Sequence, residues 1–338
     1  MPLNPAIQFA ENILDKTKVE QKPIREGFGT GLLKAGEADP NVVALCADLV
    51  ESTRVILFKE KFPERFVEMG VAEQNMASVA AGMSLMGKVP FITSYAMFSP
   101  GRNWEQIRTT ICYNEANVKI AGSHAGVSVG PDGATHQAIE DIAITRPIAN
   151  MTVLVPCDMV EAEKATRAAA RMRGPVYIRL AREKTPILTN ADTPFEIGKA
   201  VVFWVEPAGT MPDVSLVVCG SLAHNALLAV ALLESEGIKV RLVNNVSVKP
   251  MDEITIIAAA KDAGAMVTIE EHQVNGGMGS AVAEVVAKNY PVPIEFVGVQ
   301  NHFGESGEPN ELIEHFGMGV SHIVEAAKKA IGRKNAGK

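Results

Sequence analysis

The sequence predicts an α/β protein of two domains, each built on a largely parallel sheet flanked by helices. Three observations carry this. At 338 residues the chain is long for one domain. Short β-branched runs alternate with Ala-rich helical stretches, the pattern of βαβ units. The alternation breaks once, around Thr185 to Pro212, where Pro186, Pro194, Pro207 and Pro212 punctuate the chain.

In the first half, Val42–Leu45 and Phe66–Met69 read as strands, and Asn75–Met86 has helix composition. Phe91–Thr93, Val118–Ala121, Met151–Val155 and Val176–Leu180 are further strands. Pro156-Cys157-Asp158 leads into a helix over Met159–Met172. Lys199 to Val205 reads as a lone strand in the broken region. A second alternation follows: strands at Ser215–Cys219, Lys239–Val243 and Ala265–Ile269, with helices at Leu222–Glu236, Ile254–Lys261 and Ser280–Asn289. Residues Gly332 to Lys338 read as a frayed end. The expected divisions are a lead segment 1–22, a first domain 23–190 and a second domain 191–338.

The formal net charge of −7 argues against a nucleic-acid or anionic-membrane surface. The four cysteines Cys46, Cys112, Cys157 and Cys219 form no CxxC pair, which fits a reducing compartment without a zinc site. The N-terminus carries no basic patch followed by an apolar stretch. The longest apolar candidate, Met76 to Ile92, is interrupted by Lys88 and Pro90, short of the ~18 residues of a membrane helix. The expectation is a soluble cytoplasmic protein.

Two glycine motifs fail as nucleotide sites. Gly82-Met-Ser-Leu-Met-Gly87-Lys88 nearly matches a P-loop, but Val89 stands where a Ser or Thr is needed, and the segment ends a helix instead of opening one. Gly277-Met-Gly279 opens a helix after a strand, yet Val282 replaces the third glycine, so a tight packing turn explains it as well.

Four segments at strand ends are richer in chemistry, and ligands of such sheets sit there. Gly70-Val-Ala-Glu73-Gln-Asn-Met76 puts a carboxylate where a strand hands over to a helix; taken alone, Glu73 is better explained as an acidic residue favoured by the helix N-terminus. His124 to Gln137 (HAGVSVGPDGATHQ) holds three glycines that let the backbone bend close to a ligand, and His124, Asp132 and His136 can face a polar substrate. Ser94 to Arg102 places Tyr95, Phe98 and Arg102 after a strand; aromatic faces suit a flat heterocycle, and core packing is the ordinary alternative. Arg179 and Arg182 at another strand end suit phosphate recognition or a surface ion pair.

Together GVAEQNM and GPDGATHQAIEDIA resemble the transketolase family, specifically the C-terminal section where the enzyme is encoded as two genes; the resemblance runs from about Pro23 to Gly332. It implies a pyrimidine-binding domain with a parallel sheet, then a transketolase C-terminal domain with a mixed sheet and a role mainly in assembly. It implies thiamine diphosphate as cofactor, with Glu73 hydrogen-bonded to a ring nitrogen of the aminopyrimidine. A carboxylate there stabilises the protonated ring, and burial strengthens the interaction. By the same resemblance Phe98 and Tyr95 stack on that ring, and Asp48 lines the cofactor side with Arg102 nearby. His136 contacts substrate near the reacting carbonyl, Asp132 binds a hydroxyl, and His124 and Arg182, with Arg179 beside them, bind the sugar phosphate. The implied reaction moves a two-carbon ketol group from a ketose phosphate to an aldose phosphate.

The chain departs from single-chain transketolases in three places. Gly101 stands where they carry an aromatic, Pro131 where they carry glutamate, and Arg182 lies in Ala-Arg-Glu instead of Ser-Arg-Gln. No Gly-Asp-Gly occurs. The resemblance therefore implies that a partner chain with that motif supplies the diphosphate site and its Mg2+ or Ca2+, in an α2β2 heterotetramer. Alternatives are a deoxyxylulose-phosphate synthase-like enzyme, a transketolase for an unusual sugar, a 2-oxo-acid dehydrogenase β chain, or a non-catalytic orphan subunit. The sugar-type loop at His136 speaks against the 2-oxo-acid enzyme.

Overall fold

The structure is a computed structural model that describes residues 3–336. The first region runs β1 (Gln21–Pro23), α1 (Ile24–Ala38), β2 (Val42–Cys46), α2 (Ile56–Lys61), β3 (Phe66–Glu68), α3 (Glu73–Leu85) and β4 (Val89–Tyr95). It continues through α4 (Trp104–Gln106), β5 (Lys119–Ser123), α5 (Asp141–Thr145), β6 (Thr152–Leu154), α6 (Met159–Arg171), β7 (Val176–Arg179) and β8 (Lys184–Pro186). The second region holds β9 (Val201–Trp204), β10 (Val214–Val218), α7 (Ala223–Ser235), β11 (Val240–Asn244) and β12 (Ser247–Lys249). It closes with α8 (Glu253–Ala263), β13 (Met266–Gln273), α9 (Met278–Asn289), β14 (Ile294–Val299), α10 (Pro309–His315) and α11 (Val320–Ala336).

Two sheets organise these elements. The first has the order β12-β6-β7-β5-β4-β2-β3. All its pairs are parallel except β12 with β6. The second has the order β14-β13-β10-β11-β9, parallel except for β9. Central strands are apolar on both faces because helices cover both: every residue of β2 (VVALC) and β10 (VSLVV) is buried. On one face α1 lies against α6, and the approach is set by glycine. A Cβ on Gly27 would overlap the Met159 carbonyl, and one on Gly31 would press on Thr166 and Glu163.

Most strands and helices fall where the sequence puts them. The lone strand does not stand alone: β9 pairs antiparallel with β11 and closes the second sheet. The last helix corrects the frayed reading, since α11 runs to Ala336; Gly337 and Lys338 lie outside the described residues. Two segments cross the expected divisions. β12 extends the edge of the first sheet from within the second region. The lead segment straps both regions, with Leu3 bridged to Trp204 and Phe9 to Thr189. Among the described residues no helix is long and apolar enough to cross a membrane.

The two failed glycine motifs are helix ends. Gly87 follows α3 at φ +84°, a glycine-terminated helix. Gly277 caps α9, whose first amides are taken by the chain's own Glu270: Met278 N–H and Gly279 N–H donate to its carboxylate at 2.7 and 2.8 Å. That carboxylate fills the place a phosphate would occupy.

Candidate active site

The candidate residues gather at the carboxyl ends of the first sheet. Asp48 follows β2, Glu73 follows β3, Tyr95 ends β4, His124 follows β5 and Arg182 follows β7. Glu73 is the first residue of α3, and Ala72 before it offers no side-chain cap, so the carboxylate sits in the field of free helix amides. It is 1% exposed. Arg102 donates to one oxygen at 2.7 Å, and the Ser94 hydroxyl lies 3.3 Å from the other. Asn103 fixes the start of the helix by donating to the Glu73 carbonyl at 3.1 Å.

Arg102 also lies over the Phe98 ring, 4.6 Å from its centroid. A flat, cationic, N–H-bearing group thus rests on an aromatic face and donates to Glu73. A protonated aminopyrimidine presents the same chemistry, so the donor set fits the heterocycle of thiamine diphosphate, which would take the place of the exposed guanidinium. Tyr95 lies near-parallel to Phe98 with centroids 6.2 Å apart and stacks on His124 with centroids 3.8 Å apart. His136 meets Phe98 edge-on at 5.5 Å and Tyr95 at 6.2 Å, and its Nδ1 lies 2.9 Å from the Thr135 hydroxyl. Asp132 and Asp48 are open to solvent, and Asp48 adopts φ +58° at the end of its strand.

A cationic cluster lies beside these rings. Arg25 approaches His124 Nε2 at 3.2 Å and donates to the Ser52 carbonyl at 2.7 Å. Arg182 donates to the Val129 carbonyl at 2.7 Å and stands 4.0 Å from Asp132. Burial, then the neighbouring Arg54 and Arg182, lower the pKa of Arg25. Burial, then Arg25, Arg182 and His136, push His124 down to about 3, so its ring is neutral. The Nε of Arg25 is buried and, among the described residues, has no hydrogen-bond partner. Sequence reasoning missed Arg25. Its only local signal is an arginine opening a helix after Pro23, and its partner His124 is 99 positions away.

Arg179 corrects the expectation of a phosphate ligand. It is 6% exposed, and its Nε pairs with Asp141 at 2.9 Å while Nη2 donates to the carbonyls of Ala138 and Glu271. Burial alone would lower its pKa; the facing Asp141, then Glu271, outweigh that and raise it. Its Nε and Nη2 join α5, the loop and β13. The glycines of the 124–137 loop face the second region: Gly126 faces Glu271, Gly130 faces Pro309 and Gly133 faces Ser306.

A buried helix-opening carboxylate, aromatic faces and a cationic cluster thus meet at one end of the first sheet of a two-domain α/β chain. The pyrimidine-binding domain of transketolase matches residues 20–187, and the transketolase C-terminal domain matches 206–323. The chain belongs to the transketolase family. It is 41% identical over 315 residues to the putative transketolase C-terminal section of Methanocaldococcus jannaschii, covering 91% of this chain and 97% of that one. It is 38% identical over 320 residues to a 6-deoxy-6-sulfo-D-fructose transketolase subunit of Clostridium sp., covering 95% and 98%. A solved split-gene transketolase, described as an inactive beta4 tetramer, superposes with a TM-score of 0.85 at 44% identity, covering 92% of this chain and 99% of that one. Among the described residues no group of three or more His, Cys, Asp or Glu is placed to hold a metal ion.

Proposed function

We propose that this chain is the pyrimidine-side subunit of a two-chain transketolase, moving a two-carbon ketol unit from a ketose phosphate to an aldose phosphate. The observation that carries the reading is Glu73, buried at the start of α3 with a planar N–H donor already against it and Phe98 beneath that donor. Bound thiamine diphosphate supplies the carbanion chemistry. Glu73 holds the protonated ring nitrogen of its pyrimidine, and Phe98 and Tyr95 confine the ring. His136, at the edge of both aromatics, would hold or move a proton at the reacting carbonyl of a bound substrate. Asp132 takes a sugar hydroxyl, and Arg25, His124 and Arg182 take the distal phosphate. Asp48 lines the cofactor side.

The diphosphate and its Mg2+ or Ca2+ belong, in this reading, to an N-terminal partner chain carrying Gly-Asp-Gly, in an α2β2 assembly. Support comes from relatives described as a C-terminal section and as a subunit. The Clostridium relative acts on a sulfosugar, which favours a second reading: the same cationic cluster would take a terminal sulfonate. The test mixes this chain with the Gly-Asp-Gly chain, thiamine diphosphate and Mg2+, and assays ketol transfer from xylulose 5-phosphate to ribose 5-phosphate. Activity of the mixture, with neither chain active alone, is expected. An assembled, cofactor-loaded pair that turns over only 6-deoxy-6-sulfofructose would select the sulfonate reading, and one inactive with both would sink the proposal.

A further inference from the structure

The loop that carries His124, Asp132 and His136 is not held by the first region alone. Its three glycines all adopt positive φ (Gly126 +94°, Gly130 +78°, Gly133 +74°), and each turns its bare Cα toward the second region. A Cβ on Gly126 would overlap the Glu271 carboxylate, one on Gly130 would crowd Pro309, and one on Gly133 would press on Ser306. Glu271 is 2% exposed. One of its oxygens accepts from the Ser128 amide at 2.6 Å, and the other accepts from the Ser221 hydroxyl. Its carbonyl accepts from Arg179, which also holds the Ala138 carbonyl just beyond the loop. At the far end, Gln137 is buried, and its Nε2 donates to Val127 O and Gly130 O within the loop and to Glu305 O outside it.

Both ends of the loop are therefore gripped from the second region: at Ser128 by a carboxylate, and at Gln137 by the 305–309 turn. A charged acceptor buried against one amide is a strong, directional contact, and its loss leaves that amide without a partner. His124 and Asp132 each lie four positions from Ser128, so a slack anchor displaces both.

We infer that Glu271 is a positioning residue for the reaction, acting through Ser128 and Gly126 to hold the substrate loop, so that the C-terminal domain shapes the active site as well as the assembly. This rests on the function proposed above. Misplacing reacting groups by about 1 Å costs on the order of 10²-fold in rate. Glu271→Ala, assembled with the partner chain, should lose activity on that scale in kcat/KM for sugar phosphates, with thiamine diphosphate affinity unchanged. In the chain alone, amide hydrogen exchange should accelerate over 124–137 and stay unchanged in β10, β11 and α7. Glu271→Gln keeps an acceptor for Ser128 and should recover most of both readouts.

Wild-type activity in Glu271→Ala, or faster exchange spread through the whole second region, would overturn the inference; the latter is the mark of a purely structural residue. Should the alanine variant not fold, Ser221→Ala frees the far carboxylate oxygen alone. It should shift the same two readouts in the same direction by less, and no shift in either counts against the inference. If the wild-type pair is inactive on every sugar tested while exchange still loosens over 124–137, the functional reading fails and the loop anchor stands.

Discussion

Each of the two large sheets brings a buried carboxylate to a helix start, and the two are held in different ways. Glu73 opens α3 and Glu270 faces the first turn of α9, each 1% exposed. Glu270 is sealed: two backbone amides of α9 donate to it, and Gly277 and Gly279 lack side chains so that the strand and helix can close on it. Glu73 is met by side chains, Arg102 and Ser94, and Arg102 reaches it from solvent. A carboxylate fixed by backbone is a joint, because replacing its partners means unfolding a helix end. A carboxylate held by a mobile side chain can exchange that partner for a ligand.

The largest test of this contrast is to remove charge at the open carboxylate. Glu73→Gln keeps the shape and loses the anion that holds a protonated ring. Turnover of the assembled enzyme should fall by roughly 10²–10⁴, the range for removing a positioned proton-managing group, while the thermal midpoint barely moves. A variant that keeps half its activity would break the assignment, and one that fails to assemble would make Glu73 a joint like Glu270.

A smaller effect is expected at the anion cluster. Arg25→Ala removes the guanidinium beside His124 and frees the Ser52 carbonyl. A charged hydrogen bond is worth about 1.5–3 kcal/mol, so KM for a phosphorylated acceptor should rise roughly 10- to 100-fold with kcat little changed. A matching loss with a non-phosphorylated acceptor would place Arg25 in loop structure and not in anion binding. The ring of His124, lowered to about 3 by burial and then by its cationic neighbours, should gain basicity when the anion binds, and its NMR titration in the presence of inorganic phosphate reads that directly.

What the sequence made legible follows the length scale of each signal. The segment around Glu73 was readable because strand, turn, carboxylate and helix are contiguous. His124, Asp132 and His136 share one loop and were readable together. Arg179 was misread because its partner Asp141 is 38 positions away, so a strand-end arginine looked free. Arg25 was invisible for the same reason. The loop glycines were seen, but their close approach to the second region was not legible, because the surfaces they admit belong to residues more than a hundred positions on. β12 is three residues long, too short for a periodic signal, and the π-helical turn at Ile107–Cys112 has no periodicity that sequence reasoning reads.

The smallest prediction concerns the sealed carboxylate. Burial raises the pKa of Glu270 from 4.5 to about 7, against the opposing amides of Gly279 and Met278 and the charge of Arg179, with Asp141 adding to the rise. A carboxyl raised in the folded state contributes stability that is complete below its unfolded value of 4.5 and is lost as pH climbs through about 7. His272, 4.0 Å away and lowered to about 4 chiefly by burial, runs the other way: its contribution is present above 6.5 and is lost as pH falls. Glu270→Gln leaves the histidine in place and removes only the carboxyl titration. Thermal midpoints between about pH 5 and about pH 8 should decline more steeply for the wild type than for the variant. Parallel curves would mean that the two α9 amides keep Glu270 ionised across the range.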